Sequence, residues 1–183
     1  MKKLVSSVFA IALLATASIT HAQKDPMVGG AAMYPTKNIV ENAINSKDHT
    51  TLVAAVKAAG LVDTLEGPGP FTVFAPTNEA FDKLPAGTVD NLVKPESHDT
   101  LVKILTYHVV PGRISTSDIK EMIEDGGGKA MLKTVQGETI TATKGIYGKI
   151  TLTDEKGGKA SITIANVYQS NGVIQVIDSV LMP

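Results

Sequence analysis

The side chains best equipped for chemistry in this sequence are its histidines, and after His21 near the amino terminus there are three: His49, His98 and His108. A locally encoded metal site wants two imidazoles a helical turn apart, or an imidazole with carboxylates at ligand spacing, so that donors converge on one ion. No two of these histidines stand at i, i+4, and no His/Asp grouping with ligand spacing surrounds them. Cysteine is absent altogether, which removes a thiolate nucleophile, a disulfide and a lipid-modified thiol at one stroke. There is no Gly-x-Ser-x-Gly elbow and no phosphate-binding glycine loop. Gly126-Gly127-Gly128 comes nearest to one, but it follows a helical pattern instead of opening one, and reads as a loop. Asp154 and Glu155 beside Lys156 read as a solvated hairpin tip. No catalytic arrangement results, so the chain reads as a non-enzyme without metal or cofactor. His108 is the histidine to weigh. Flanked by Tyr107 and Val109 in an apolar stretch read as a strand, it is expected to be partly buried and held as a satisfied neutral imidazole.

The element that organises the rest runs from Phe71 to Leu84. Phe71-Thr72-Val73-Phe74 is aromatic and β-branched, the pattern of a buried strand. Pro76 has no N–H to donate and ends the ladder. Thr77 or Asn78 is placed to cap a following helix, with Glu79 at its positive end and Phe81 and Leu84 as its apolar stripe. Three of the four phenylalanines in the chain sit here, which marks a core nucleus.

Around it the helices come first. Asn38–Ile44 predicts a short helix, and Lys47-Asp48-His49-Thr50 a turn and cap. A stronger helix follows through Leu52, Val53, Val56 and Ala59, stopped at Gly60. Gly67-Pro68-Gly69-Pro70 is a hard break. After Pro85 and Gly87 come a short helix through Val89 and Leu92, then one carrying Leu101, Val102 and Leu105 into a Tyr107–Val110 strand. Ser115 with Asp118 three residues on is a capping box for a helix ending at the triple glycine. From there the period turns to two: 130–135, 139–143, 149–153, 160–165 and 173–177 read as strands separated by glycine turns, Asn171-Gly172 among them.

The 183 residues, 43% hydrophobic and 19% charged, suit one domain with a proper core. Residues 1–22 read as a cleaved secretory signal: Lys2 and Lys3, an apolar run from Leu4 to Ile19, then Thr20-His21-Ala22 before the cut. Removing those two lysines from 17 basic residues leaves 15 against 18 acidic, a formal charge of −3. Nothing in that balance favours nucleic acid or an acidic membrane surface. Export without disulfides suits a bacterial route, with the product periplasmic or secreted and no membrane anchor after cleavage. Residues 23–37 read as an irregular arm, and 38–183 as the domain.

Three blocks together resemble the fasciclin domain. Phe71-Thr72-Val73-Phe74-Ala75-Pro76-Thr77-Asn78-Glu79-Ala80-Phe81 resembles that family's first signature box. Tyr107-His108, followed by Val109-Val110-Pro111-Gly112, is similar to its Tyr-His motif. Asn171-Gly172-Val173-Ile174-Gln175-Val176-Ile177-Asp178 with Val180-Leu181 resembles its second box. The resemblance spans roughly Tyr34 to Pro183. It implies an α+β fold: a wedge-shaped β-sandwich with helices packed on one side, helices mostly in the N-terminal half and strands in the C-terminal half. It also implies an exported adhesion or interaction module with no general catalytic activity, binding a cell-surface or matrix protein or a polysaccharide, with self-association as a route to multivalency. Its binding residues carry over onto Tyr107 and His108 and onto Asn166-Val167. Two positions depart from the family pattern: Asn166 stands where an acid is usual, and Gln175 where a histidine is usual. A second expectation is a carrier of a small apolar ligand such as a carotenoid or lipid, with Met27, Met33, Met122 and Met131 lining an adaptable pocket.

Overall fold

The computed structural model describes residues 25–183, so the expected signal segment lies outside the described residues. Residues 25–37, read from the sequence as irregular, contain a small hairpin in which β1 (Met27–Val28) pairs with β2 (Ala31–Ala32). Val28 and Met33 carry it into the core. α1 (Ile39–Ala43) starts at a capping box formed by Asn38 and Glu41. A 3₁₀ turn at Lys47–His49 leads into α2 (Thr50–Ala58), and Gly60 then takes a left-handed φ of 65°. α3 (Val62–Glu66) is a helix that the sequence reading did not anticipate, because its five residues are too few to show a period.

The expected strand is β3 (Phe71–Pro76), followed by α4 (Asn78–Asp82). α5 (Thr88–Leu92) and α6 (His98–Tyr107) come next, then β4 (Val109–Pro111). Tyr107 and His108 are therefore not strand residues. Tyr107 closes α6 and His108 is its C-cap, so the helical pattern from Leu101 runs through the first residue of the expected strand and is capped at the second. α7 (Thr116–Asp125) begins at the Ser115–Asp118 capping box. The strands β5 (Lys129–Lys133), β6 (Thr139–Lys144), β7 (Ile150–Thr153), β8 (Lys159–Gln169) and β9 (Gly172–Ile177) complete the chain. This is an α+β fold with its helices mostly first and its strands mostly last.

The strands form one hydrogen-bonded run in the order β4-β3-β9-β8-β7-β6-β5. Every pairing in it is antiparallel except β3 with β9, which are parallel, with Thr72 opposite Val173 and Phe74 opposite Gln175. Two register shifts in β8, between Ile162 and Ile164 and between Ile164 and Val167, bend the run. On one side of the bend Val73, Ala75, Ile174, Val176 and Val167 pack with residues of α1, α2 and α6. On the other, Phe74, Val110 and Ile177 meet Ile140, Ala142, Leu152 and Ile162, with Ile119 and Ile123 of α7 beside them. β3 is thus buried on both faces, which is why its run is continuously apolar instead of alternating.

Candidate functional site

The polar residues of the three signature blocks fall into two groups of internal ties. The first lies where α1, α3 and β9 begin or end. Asn171 accepts from the Ile39 N–H at 3.0 Å and donates to the carbonyls of Leu65 at 2.7 Å and Gly67 at 2.9 Å. Gly172 follows because a Cβ there would lie against the Phe71 carbonyl, inside contact distance. Thr72 donates to the Gly112 carbonyl at 2.6 Å and accepts from Ile114 N–H at 2.8 Å, closing the loop after β4. Asp178 accepts from Ser161 N–H at 2.8 Å, which fixes the end of β9 to β8.

Thr77 is the cap of α4, its hydroxyl accepting from Ala80 N–H at 3.3 Å. Asn78, the other candidate for that cap, works elsewhere. Its carbonyl oxygen accepts from Thr51 N–H at 3.0 Å and from the Thr50 hydroxyl at 3.2 Å, and its amide donates to Lys47 O at 2.8 Å. It therefore satisfies an orphan donor at the start of α2 from outside that helix.

The second group surrounds the Tyr-His pair. Tyr107 is fully buried and its hydroxyl donates to Thr139 O at 3.0 Å. Burial pushes its phenol up to about 12. His108 is 3% exposed, its ring edge-on to that of Tyr107. Nδ1 stands 2.9 Å from Ile104 O, which can only accept, so Nδ1 carries the proton. Nε2 then accepts from Leu181 N–H at 3.1 Å. Both nitrogens are satisfied by a neutral ring, and burial lowers its pKa to about 4.

Asp154, read from the sequence as solvated, is buried. Its carboxylate accepts from Lys156 N–H at 3.0 Å, Gly158 N–H at 2.6 Å and Met182 N–H at 2.9 Å. The consecutive amides of Leu181 and Met182 are thus held by His108 and Asp154, a contact between distant segments that no local pattern encodes.

Asn166 and Val167 lie in the β8 bulge. Val167 is fully buried. Asn166 takes a left-handed φ of 57°, which asparagine tolerates better than most residues. Its N–H donates to Gln175 Oε1 at 2.8 Å, and its Oδ1 accepts from Gln175 Nε2 at 3.0 Å and Thr116 N–H at 2.8 Å. The two departures from the family pattern are therefore partners of each other. Together with Ile114 O, which accepts from Gln175 at 3.2 Å, they tie the start of α7 to the sheet.

Of the predicted binding residues, Tyr107, His108 and Val167 are buried, and only Asn166 borders open space. It lines a groove of about 440 Å³ with Asp25, Pro26, Met33, Pro35, Ala165 and Tyr168, between the amino-terminal hairpin and the β8 bulge. Sequence reasoning missed Tyr168, which alternation on β8 turns outward beside the buried Val167. A separate apolar cavity of about 80 Å³ lies under α1 and α2, with Met33 in its wall. A cavity of about 150 Å³ takes benzene, so this one is too small for a carotenoid or acyl chain. Met27, Met122 and Met131 are exposed, so the four methionines do not form the expected pocket. Their positions, on a hairpin, a helix and an edge strand, point apart. Among the described residues no three His, Asp or Glu side chains come together to hold a metal ion.

The fold and its signature ties define the class of protein. A model of the fasciclin domain family matches residues 47–183, and the chain belongs to that family. It is similar to protein sll1483 of Synechocystis, 46% identical over 170 residues that span 93% of this chain and 87% of that one. It is also similar to the cell surface glycolipoprotein MPB83 of Mycobacterium bovis, at 36% over 91% of this chain and 64% of the relative. Among solved structures it resembles a FAS1 domain pair from the insect cell adhesion molecule fasciclin I, with a TM-score of 0.63 at 18% identity, over 80% of this chain and 51% of that one.

Proposed function

We propose that this chain is an exported, non-enzymatic interaction module, periplasmic or secreted, that binds an extracellular or envelope protein or a polysaccharide. The observation that carries this reading is the contrast at Asn166. The Tyr-His pair, Asn171, Asp178 and Asp154 spend their hydrogen bonds inside the fold, whereas the groove beside Asn166 and Tyr168 is open. A half-exposed tyrosine at its edge supplies apolar area and a hydroxyl with little conformational entropy to lose. The relatives named above as a cell surface protein and as a cell adhesion molecule support the same reading. Adhesion from a single groove of this size needs a multivalent partner or self-association.

The test is capture from the source cell's envelope fraction, protein and polysaccharide assayed separately, on immobilised protein and on a Tyr168→Ala variant. Capture by the parent and its loss in the variant is the expected result. Equal capture by both would remove the groove, and a monomer that captures neither class would remove the adhesion reading.

A further inference from the structure

The turn between β6 and β7, Lys144-Gly145-Ile146-Tyr147-Gly148-Lys149, takes no part in any contact described so far. Ile146 is 79% exposed and Tyr147 is 103% exposed, more open than any other large hydrophobic side chain among the described residues. Other large hydrophobic side chains, Met27, Ile44 and Met131 among them, are exposed singly, but these two are adjacent in one turn and the most open, and such a pair held in solvent asks for a partner. The backbone is shaped to hold them there. Tyr147 has φ 60° and ψ 24°, a left-handed conformation that is an outlier for a bulky residue, in a single 3₁₀ turn between two glycines. An asparagine or glycine would occupy that position with less strain, so the choice of tyrosine is not explained by the turn itself.

Cations surround the tip. Lys144 and Lys149 flank it directly and are exposed, and Lys129 stands one residue back on the same end of the sheet, opposite Thr143. Glu124 reaches Lys144 at 3.5 Å, but both side chains are solvated, and such pairs are readily exchanged.

We infer that this turn is a peripheral docking tip for an anionic lipid bilayer, in which Ile146 and Tyr147 enter the interface and Lys144 and Lys149 meet headgroup phosphates. Tyrosine is enriched at that depth, its ring among the upper acyl carbons and its hydroxyl in the headgroups. Lysines beside it keep their ammonium groups at the surface while their stems lie along apolar matter. A bilayer, unlike a protein surface, accepts a convex two-residue tip without a matching cavity; a specific protein interface needs about 1,000 Å² or more in all. With −3 formal charge on the chain after Ala22, there is no general attraction to anionic lipid, so docking depends on this local cluster. Nor is it an anchor: two side chains and two lysines bind more weakly than one myristoyl chain, which gives about 10⁴ M⁻¹.

The sequence contains no tryptophan, so Tyr147→Trp places a single reporter at the tip. The experiment is sedimentation and emission of the mature chain with vesicles of phosphatidylcholine alone and of an equal mixture with phosphatidylglycerol, at millimolar lipid. The expected result is binding to the mixed vesicles with a blue shift, weakened by salt, and little binding to the neutral ones. Ile146→Ser with Tyr147→Asn should lower binding about tenfold or more, and Lys144→Gln with Lys149→Gln about fivefold for each lysine. Because these side chains are exposed, no variant should melt below the parent, and Tyr147→Asn, which relieves the left-handed strain, should melt at or slightly above it. The proposal falls if the parent stays in the supernatant, if the reporter does not shift, or if the Ser/Asn variant binds as the parent does. A tip that left vesicles alone but was required for binding a purified protein would replace the bilayer by a protein pocket, and overturn it as well.

Discussion

At the residue scale the Tyr-His pair is a joint. His108 presents one donor and one acceptor to two backbone groups from segments 77 residues apart in the chain, Ile104 and Leu181. Its folded-state pKa, about 4, lies below the ordinary value of 6.5. The unfolded chain therefore binds the proton more tightly, and stability is fully present above pH 6.5. It falls as the pH drops towards about 4 and is level below that. The span corresponds to about 3 kcal/mol, and His49, also lowered by burial, acts in the same direction. Denaturant melts across this window should show the slope, and in His108→Gln the slope should shrink to what remains from His49 and the carboxylates. His108→Ala should cost about 2–4 kcal/mol, because the Leu181 N–H is left buried without a partner. The Asn166–Gln175 pair makes a second prediction at this scale. Alanine at either position strands the other, so the double variant should cost less than the two single variants together. A coupling of about 1–2 kcal/mol in a double-mutant cycle is expected, and strict additivity would break the argument.

At the scale of elements, helix starts are fixed by side chains of two kinds. Asn38, Thr77 and Ser115 cap their own helices, as their types foretell. Asn78 instead reaches back to Lys47, Thr50 and Thr51, joining α2 to α4. Asn78→Ala should therefore cost about 1–2 kcal/mol and raise hydrogen exchange at the amino-terminal turn of α2, whereas Thr77→Ala should cost about 1 kcal/mol and loosen α4. Exchange that rose in α4 alone for both variants would return Asn78 to a local role. The β8 bulges act at this scale too: by bending the sheet they bury Val167 on one core and Ile162 on the other, and turn Tyr168 to the groove.

For the whole molecule, the parallel pairing of β3 with β9 brings the first and last signature blocks side by side, and the Leu181–Met182 amides then close on His108 and Asp154. Leu181 and Met182 thus belong to the centre of the fold. Deleting residues 181–183 should cost about 3–5 kcal/mol, since it removes fully buried Leu181 and leaves two buried acceptors unpaired. A truncated chain that melted within a degree or two of the parent would show the clamp to be dispensable. The two contacts proposed above, the groove beside Tyr168 and the tip at Tyr147, use no residue in common.

The sequence by itself determined the order of the longer helices and strands, the capping box at Ser115, the stop at Gly60 and the family, because these depend on period, turn chemistry and residue types close together in the chain. It also suggested that His108 is a satisfied core imidazole, since an apolar neighbourhood is a local property. Only the tertiary structure decided which groups satisfy it, that Asp154 is buried, that Asn78 serves a helix 27 residues away, and that Asn166 and Gln175 are each other's partners. A polar side chain shows its capacity to bond in the sequence, but its partner is set by the sheet register, which brings distant segments into contact.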